Sequence, residues 1–311
     1  MCRLIVVAGP TASGKTAVAV ELAKEIGGEV ISADSMQVYR HMNIGTAKPT
    51  VEEMQGIPHH MIDILDPNEA CSVALYAREA LAIMQEVWSR GRVPILAGGT
   101  GFYINAVIFC VEFDNVDHDE THMLRAYYAS MYTSIGPEHV HGLLAQVDAV
   151  SAAAVHRNNK QKVINALVFN LLTGKKYSLS NEAQKEKPLR FPTDFYYLAH
   201  PRARLYERID MRTEHMYQEG LLEETFELYE RGYGHAKSMY AIGYKEASMY
   251  HKGLLTRDEA IRLTAKNTRN YAKRQETWFK NQNHFAKIIS ASDRAANDIA
   301  AEILSPPNKT V

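Results

Sequence analysis

Gly9-Pro10-Thr11-Ala12-Ser13-Gly14-Lys15-Thr16 is the stretch that decides how this chain folds. Two glycines flank four residues and are followed by Lys and Thr, which is the pattern of a phosphate-binding P-loop. A buried strand is predicted before it (4–8) and a helix after it (17–26), as the motif requires. Its backbone N–H groups and the helix N-terminus would both face an anion. The stretch therefore predicts a site for a diphosphate or longer phosphate chain, the alternative being a chance strand-turn-helix.

Two further strands are predicted, and the residues that follow them define the expected crevice. One strand (29–33) ends at Asp34, and another (93–97) ends at Gly98-Gly99-Thr100-Gly101. Ligands of parallel α/β sheets lie outside the carboxyl ends of the strands, so Asp34 should face the same crevice as Lys15. That carboxylate could hold Mg²⁺, act as a base or cap a turn. The second strand end has no carboxylate, which argues against ordinary ATP hydrolysis.

The order of predicted elements indicates an α/β fold. We expect a P-loop parallel-sheet core with a mostly helical inserted domain and a helical C-terminal region. The predicted division is 1–111 for the first part of the core, 112–198 for the insertion, 199–290 for the return to the core, and 291–311 for a tail. The last part of this tail, 305–308, is predicted to be disordered.

Composition points to a protein of the reducing cytoplasm. Hydrophobic residues make up 46% of the 311 residues and charged residues 23%, which is ordinary for a globular protein. No apolar run approaches the roughly 18 residues of a membrane span, and the three cysteines show no metal spacing. The adjacent His59 and His60 would point to opposite faces of an extended chain, so structural roles are expected for them. We expect a monomer that does not associate with membranes.

The net charge of −1 conceals two local basic stretches. Residues 157–190 carry eight Lys and Arg against two acidic residues, and residues 262–287 carry seven against one. Such stretches on a near-neutral protein suggest a bounded footprint for a polyanion, the alternative being solvated faces. The second stretch lies on a long predicted helix (257–281), whose basic side chains recur as one stripe beside an apolar stripe. The basic stripe consists of Arg262, Lys266, Arg269, Lys273 and Lys280.

Seven sequence blocks together resemble the tRNA dimethylallyltransferase family. They are GPTASGKT, ISADSMQVY, NIGTAKP, PHHMIDILDP, LAGGTGFYI, AIGYKE and TRNYAKRQETWFKN, in that order from residue 3 to about 285. The resemblance implies transfer of a dimethylallyl group from dimethylallyl diphosphate to N6 of the adenosine at tRNA position 37, beside the anticodon. The partners implied are the tRNA anticodon stem-loop and dimethylallyl diphosphate. The P-loop, Gly9 to Thr16, would then hold the donor diphosphate, with Mg²⁺ held in part by Thr16.

The resemblance also assigns roles to individual residues. Asp34 matches the catalytic base that accepts the N6 proton, and Lys15, Thr16 and Thr11 are the other catalytic candidates. The positions that match the family's tRNA contacts, together with two basic residues of the long helix, are Asp34, Ser35, Met36, Gln37, Thr100, Arg125, Gln161, Lys162, Asn165, Arg269 and Lys273. The target base would have to leave the stack to reach the crevice.

The insertion departs from the family pattern at three positions. Lys162 and Asn165 stand where Arg is expected, and Val168 stands where Glu is expected. Lys keeps the charge of Arg but not its bidentate fork, whereas Asn loses the charge. Two alternatives therefore stay open: prenyl transfer to a free adenine nucleotide, or a tRNA-binding relative with weakened catalysis. A Lys162→Arg plus Asn165→Arg variant with no gain in stem-loop affinity would show that these positions are not a defect.

Overall fold

The core of the structure is one parallel β-sheet. The computed structural model describes residues 3–110, 118–180 and 188–305, and within them six strands pair in the order β3-β2-β4-β1-β5-β6. The strands are β1 Leu4–Ala8, β2 Gly28–Ala33, β3 His59–His60, β4 Val93–Gly98, β5 Thr193–Ala199 and β6 Lys287–Ser290. All neighbouring pairs are parallel, so the carboxyl ends of the strands lie along one edge. The predicted α/β fold with a parallel sheet is confirmed.

Helices connect and flank these strands. In chain order they are α1 Lys15–Ile26, α2 Val51–Met54, α3 Val73–Ser89, α4 Gly101–Ile108, α5 His118–Ser134, α6 Pro137–Val147, α7 Ala149–Ala154, α8 Lys160–Thr173, α9 Arg202–Gln218, α10 Leu221–Glu230, α11 Tyr244–His251, α12 Arg257–Gln282 and α13 Ala296–Leu304, with a 3₁₀ turn at Lys237–Tyr240. In the described part of the chain, no helix has both the length and the apolar character needed to cross a bilayer.

Two compact units make up the chain, and their boundaries differ from those predicted. The inserted unit is Phe109–Pro188, and the larger unit contains the residues on either side of it. The predicted insertion ends at residue 198. That boundary is wrong because β5 belongs to the sheet: Val6 of β1 lies opposite Phe195 of β5 in a parallel pair.

The predicted tail at 291–311 is also in part core. Within α13, Ile299, Ala300 and Ile303 are buried and pack in one hydrophobic cluster with Val18 and Leu22 of α1. These three apolar residues fall on one face of the helix, which is what allows α13 to cover the sheet. Residues 306–308 of the segment predicted to be disordered lie outside the described residues.

The inserted unit has a hydrophobic core of its own. Helices α6 and α8 contribute its central side chains, and α5 packs beside them. Val168 is 1% exposed and belongs to this cluster. The position at which the family pattern expects Glu is therefore an interior position in this chain.

The end of β4 has no space for side chains. A Cβ on Gly98 would lie 2.2 Å from the carbonyl oxygen of Ala33 on β2, and one on Gly99 would lie 2.3 Å from the amide nitrogen of Gln275. The two glycines therefore allow β2, β4 and α12 to approach closely. Close packing at this strand end is the physical reason that no carboxylate occurs there.

We expect Gly98→Ala to lower the free energy of unfolding by about 1–3 kcal/mol, because the added methyl group would force β2 and β4 apart. Gly142→Ala is the matched control: it lies in α6, where a Cβ meets nothing within 4 Å. That substitution should raise helix stability by about 0.5–1 kcal/mol. Chemical denaturation of both variants checks the prediction, and an unchanged midpoint for Gly98→Ala would contradict it.

Candidate active site

The P-loop joins β1 to α1 and leaves the helix N-terminus open. Gly14 is the N-cap of α1 with φ +86°, a left-handed conformation that favours glycine, and no side chain caps the helix. Ala12 also has a positive φ, of 63°. The Ser13 N–H donates to the Pro10 carbonyl at 3.3 Å, which closes the turn. The unused N–H groups of the first helical turn and the helix dipole together favour an anion at this point.

Lys15 folds back over its own loop. Its Nζ donates to the Pro10 carbonyl at 2.7 Å and to Ser13 Oγ at 3.4 Å. Burial lowers the pKa of Lys15 from 10.5 to about 7; the negative charge of Asp34 opposes this shift and the positive charge of Arg212 adds to it. The ammonium group is thus held in a poorly solvated position where an incoming anion would stabilise its charge.

Asp34 follows the last residue of β2, and its carboxylate has a structural contact. The Met36 N–H donates to Asp34 Oδ1 at 2.8 Å, so the side chain caps a turn, one of the roles the sequence left open. Asp34 also lines both cavities described below. Capping the turn therefore does not remove the carboxylate from the site; it fixes its direction.

Two other predicted tRNA-binding residues organise the loops around Asp34. Thr100 Oγ1 accepts from the Ser35 N–H at 3.1 Å, and the Thr100 N–H donates to the Ala33 carbonyl at 3.0 Å. Gln37 accepts from Ser32 Oγ at 2.8 Å and donates to the Ala47 carbonyl at 3.2 Å. Both ends of the Gln37 amide are therefore engaged within the protein.

Two cavities adjoin at these residues. The smaller, about 70 Å³, is polar and is lined by Lys15 and Thr16. The larger, about 330 Å³, has an apolar wall that includes Ile209 and Met216 of α9 and Ile242. Both are lined by Thr11, Asp34, Thr46 and Arg212. A small polar cavity and a larger, partly apolar cavity thus meet beside Asp34.

Sequence reasoning missed the arginines of α9. Arg212 donates to Thr11 Oγ1 at 3.4 Å, and Arg208 donates to the Ala12 carbonyl at 2.7 Å. Burial lowers the pKa of Arg212, and Asp34 opposes that shift. The spacing of Arg204, Arg208 and Arg212 by four residues was an available signal for a basic helix face.

The predicted residues of α12 differ in their surroundings. Arg269 forms an ion pair with Asp210 of α9 and lies over the ring of Tyr206, with 5.9 Å between the guanidinium carbon and the ring centroid. Lys273, by contrast, is exposed. Within the predicted basic stripe, Arg269 is therefore paired with a carboxylate of α9, and its role in tRNA binding stays a prediction.

The predicted tRNA-binding residues of the insertion lie on α5 and α8. Arg125 is exposed on α5. On α8, the Gln161 amide donates to Asn165 Oδ1 at 3.1 Å, and the N-cap Asn159 accepts from the Lys162 backbone N–H at 3.3 Å. The Lys162 side chain is exposed. Of the three residues that depart from the family pattern, Lys162 and Asn165 lie near the start of α8, whereas Val168 is buried in the core of the inserted unit.

The adjacent histidines have separate partners. His60 Nε2 lies 2.7 Å from the buried Glu29 carboxylate, which Arg90 and Arg92 also contact. His59 Nδ1 is hydrogen-bonded to the Ile57 carbonyl, and burial lowers the pKa of His59. These contacts agree with the prediction that His59 and His60 have structural roles.

Comparison with known proteins identifies the family. Residues 37–282 match the family model described as IPP transferase. The chain belongs to the IPP transferase family. The tRNA dimethylallyltransferase of Halalkalibacterium halodurans is 46% identical over 282 residues, which cover 90% of this chain and 88% of that protein. The protein of the same name from Shouchella clausii is 47% identical over 280 residues, which cover 90% and 88% of the two chains.

Solved structures of family members have the same fold. The full-length tRNA isopentenylpyrophosphate transferase of Bacillus halodurans superposes with a TM-score of 0.71 at 43% identity, covering 97% of this chain and 94% of that one. A eukaryotic dimethylallyltransferase acting on tRNA superposes with a TM-score of 0.77 at 28% identity, covering 94% and 74%. The family resemblance predicted from the seven blocks is confirmed.

Proposed function

We propose that this chain transfers a dimethylallyl group from dimethylallyl diphosphate to N6 of the adenosine at tRNA position 37, releasing diphosphate. The observation that carries the proposal is the shared boundary of the two cavities. Lys15, Thr16 and Arg212 surround the polar cavity, and Asp34 stands where it meets the larger one. This arrangement supports a reaction in which an anionic leaving group and a base lie on either side of one reacting carbon.

Asp34 serves as the base in this proposal. The N6 lone pair of adenosine is delocalised into the ring, so attack on the allylic carbon requires removal of a proton. As the new C–N bond forms, the C–O bond to diphosphate breaks and the N6 proton passes to the Asp34 carboxylate. The hydrogen bond from the Met36 N–H to Asp34 Oδ1, 2.8 Å long, fixes the direction of this carboxylate.

The P-loop stabilises the leaving group. Negative charge grows on the diphosphate as the C–O bond breaks. Preorganised hydrogen-bond donors interact more strongly with this developing charge, so they stabilise the transition state more than the ground state. Lys15, the N–H groups at the start of α1 and the Arg212 guanidinium supply these donors. Arg212, which donates to Thr11 Oγ1 at 3.4 Å, adds a second cation from α9.

The residues present fit a magnesium ion that is bound together with the diphosphate. Mg²⁺ prefers oxygen ligands and commonly takes one or two from protein, with phosphates and water supplying the rest. Thr16 and Asp34 line the same polar cavity, and no group of three or more metal-binding side chains is found among the described residues. We therefore assign Thr16, with Asp34 nearby, to a Mg²⁺ that would neutralise diphosphate charge.

For the acceptor we propose the tRNA anticodon stem-loop, bound by a monomer in the cytoplasm. The support is the family membership and the exposed basic residues, which include Lys162 of α8 and Lys266, Lys273 and Lys280 of α12. Phosphate contacts of this kind supply most of the sequence-independent affinity for RNA.

Mass spectrometry of the reaction products tests the proposal. The protein is mixed with Mg²⁺, dimethylallyl diphosphate and an unmodified anticodon stem-loop, with AMP in a parallel reaction. One prenyl addition on the stem-loop adenosine is expected. Prenyl addition to AMP alone would show that the acceptor is a free adenine nucleotide and not tRNA. Stem-loop binding without product in either reaction would favour a relative that binds tRNA but has lost turnover.

Binding of diphosphate should be accompanied by proton uptake. The pKa of Lys15 is about 7 in the free protein, so at pH 8 its amine is mostly neutral; a bound anion raises that pKa toward the ordinary 10.5. Up to about one proton per diphosphate should be taken up near pH 8, and almost none near pH 6. Calorimetry in buffers of different ionisation enthalpy measures this uptake. Equal uptake at both pH values would contradict the assignment.

A further inference from the structure

Gln275 of α12 joins two distant parts of the site. Its Oε1 accepts from the Thr11 backbone N–H at 2.9 Å, and its Nε2 donates to the Gly99 carbonyl at 2.9 Å. Gln275 is 6% exposed, so water competes little for either contact. A carboxamide is the side chain that can both accept from one backbone group and donate to another in this way.

The first contact fixes the position of Thr11, the P-loop residue that lines both cavities. The Thr11 N–H is accepted by Gln275, and Thr11 Oγ1 is approached by Arg212 at 3.4 Å. Thr11 also precedes Ala12, whose left-handed backbone turns the loop toward α1. Fixing Thr11 therefore fixes the path of the chain just before the diphosphate cradle.

The second contact reaches the loop that carries the base. Gly99, whose carbonyl accepts from Gln275 Nε2 at 2.9 Å, directly precedes Thr100 in the sequence. Thr100 Oγ1 accepts from the Ser35 N–H, next to Asp34. A chain of contacts thus runs from the P-loop through Gln275, Gly99 and Thr100 to the turn that holds Asp34.

We propose that Gln275 is a positioning residue that sets the P-loop relative to the Asp34 turn, so that donor diphosphate and base are aligned for transfer. This inference rests on the proposed function. Gln275 lines the polar cavity but is assigned no contact with the reacting atoms; it acts through Thr11 and, by way of the Gly99 carbonyl, through Thr100.

Two variants of Gln275 and one control test this proposal. Gln275→Met keeps the length of the side chain and removes both hydrogen bonds. Gln275→Glu keeps an acceptor for the Thr11 N–H but, when ionised, cannot donate to Gly99. Gln282→Glu makes the same chemical change at an exposed position of the same helix. Donor KM, kcat, affinity for inorganic diphosphate and affinity for the stem-loop are measured for each.

For Gln275→Met we expect donor KM and the dissociation constant for diphosphate to rise about tenfold or more. We also expect kcat to fall, with stem-loop affinity within about twofold of the parent chain. Gln282→Glu should match the parent in all four quantities. Parent-like donor KM and kcat in a folded Gln275→Met would overturn the inference, whereas absence of transfer by the parent chain would count against the proposed function instead.

The pH profile of Gln275→Glu separates positioning from a purely structural role. A protonated Glu has the shape of Gln and can donate its O–H to the Gly99 carbonyl while still accepting from Thr11. Lys15, Asp34, Arg212 and Tyr271 are the titratable groups around this position, and they are common to variant and parent. Activity of the variant relative to the parent should therefore recover by about tenfold between pH 8 and pH 6. A constant ratio across this range would overturn the inference even if Gln275→Met fails to fold.

Discussion

Asp34→Asn should reduce turnover by about two to four orders of magnitude, which is the usual effect of removing a general base. Asparagine has nearly the same shape and keeps an oxygen that can accept from the Met36 N–H, the contact that measures 2.8 Å to Asp34 Oδ1. The turn should therefore persist, and donor binding should change little. What the amide cannot do is accept the N6 proton of the acceptor adenosine.

Single-turnover measurements with saturating donor and stem-loop test this prediction, because they isolate the chemical step. Asp258→Asn, an exposed position at the start of α12, is the matched control and should leave the rate unchanged. If Asp34→Asn turned over at a near-normal rate, another group would have to be the base. If it lost donor binding and not turnover, the role of Asp34 would be to hold Mg²⁺.

Lys15→Met should lower kcat/KM for the donor by about two to three orders of magnitude, the effect of losing a preorganised donor to developing charge. Methionine fills similar space but carries no charge, and it abolishes the proton uptake expected on diphosphate binding. Because burial lowers the pKa of Lys15 to about 7, the charged ammonium form of this residue is destabilised in the free protein. The thermal stability of Lys15→Met should therefore equal or exceed that of the parent chain, although its kcat/KM for the donor is strongly reduced.

Lys24→Met controls for the loss of a lysine from the same helix. Lys24 pairs with Glu21 at 2.8 Å near the surface, so its removal should affect donor use by less than about twofold. Calorimetry with inorganic diphosphate gives the binding part of the effect directly. Unchanged diphosphate affinity in Lys15→Met would mean that the lysine serves the loop alone, through its bond to the Pro10 carbonyl.

The site was predictable wherever local sequence dictates local backbone. The P-loop glycines, the apolar strands and the strand-end Asp34 each show a pattern within about ten residues, and parallel pairing then brings the strand ends to one edge. The proximity of Asp34 and Lys15 follows from that rule. Predictions that depended on pairing between distant segments were less accurate, as β5 and α13 show. The residues of β5 were assigned to the insertion and those of α13 to a tail, because a local pattern does not show which distant segment an element packs against.

The sequence by itself determined the family, the phosphate-binding loop, the base candidate and the α/β class, because motifs and periodicity are properties of neighbouring residues. The tertiary structure alone decided which side chains complete the site. Gln275 reaches Thr11 across 264 residues of sequence, and Arg212 reaches the same residue across 201. The spacing of the α9 arginines indicates a basic helix face but not which arginine reaches the P-loop, and nothing in the local pattern of α12 distinguishes Gln275. Gln275 and Arg212 reach the loop because of the way in which α9 and α12 pack against it. That packing forms only when hydrophobic faces from distant parts of the chain are buried together.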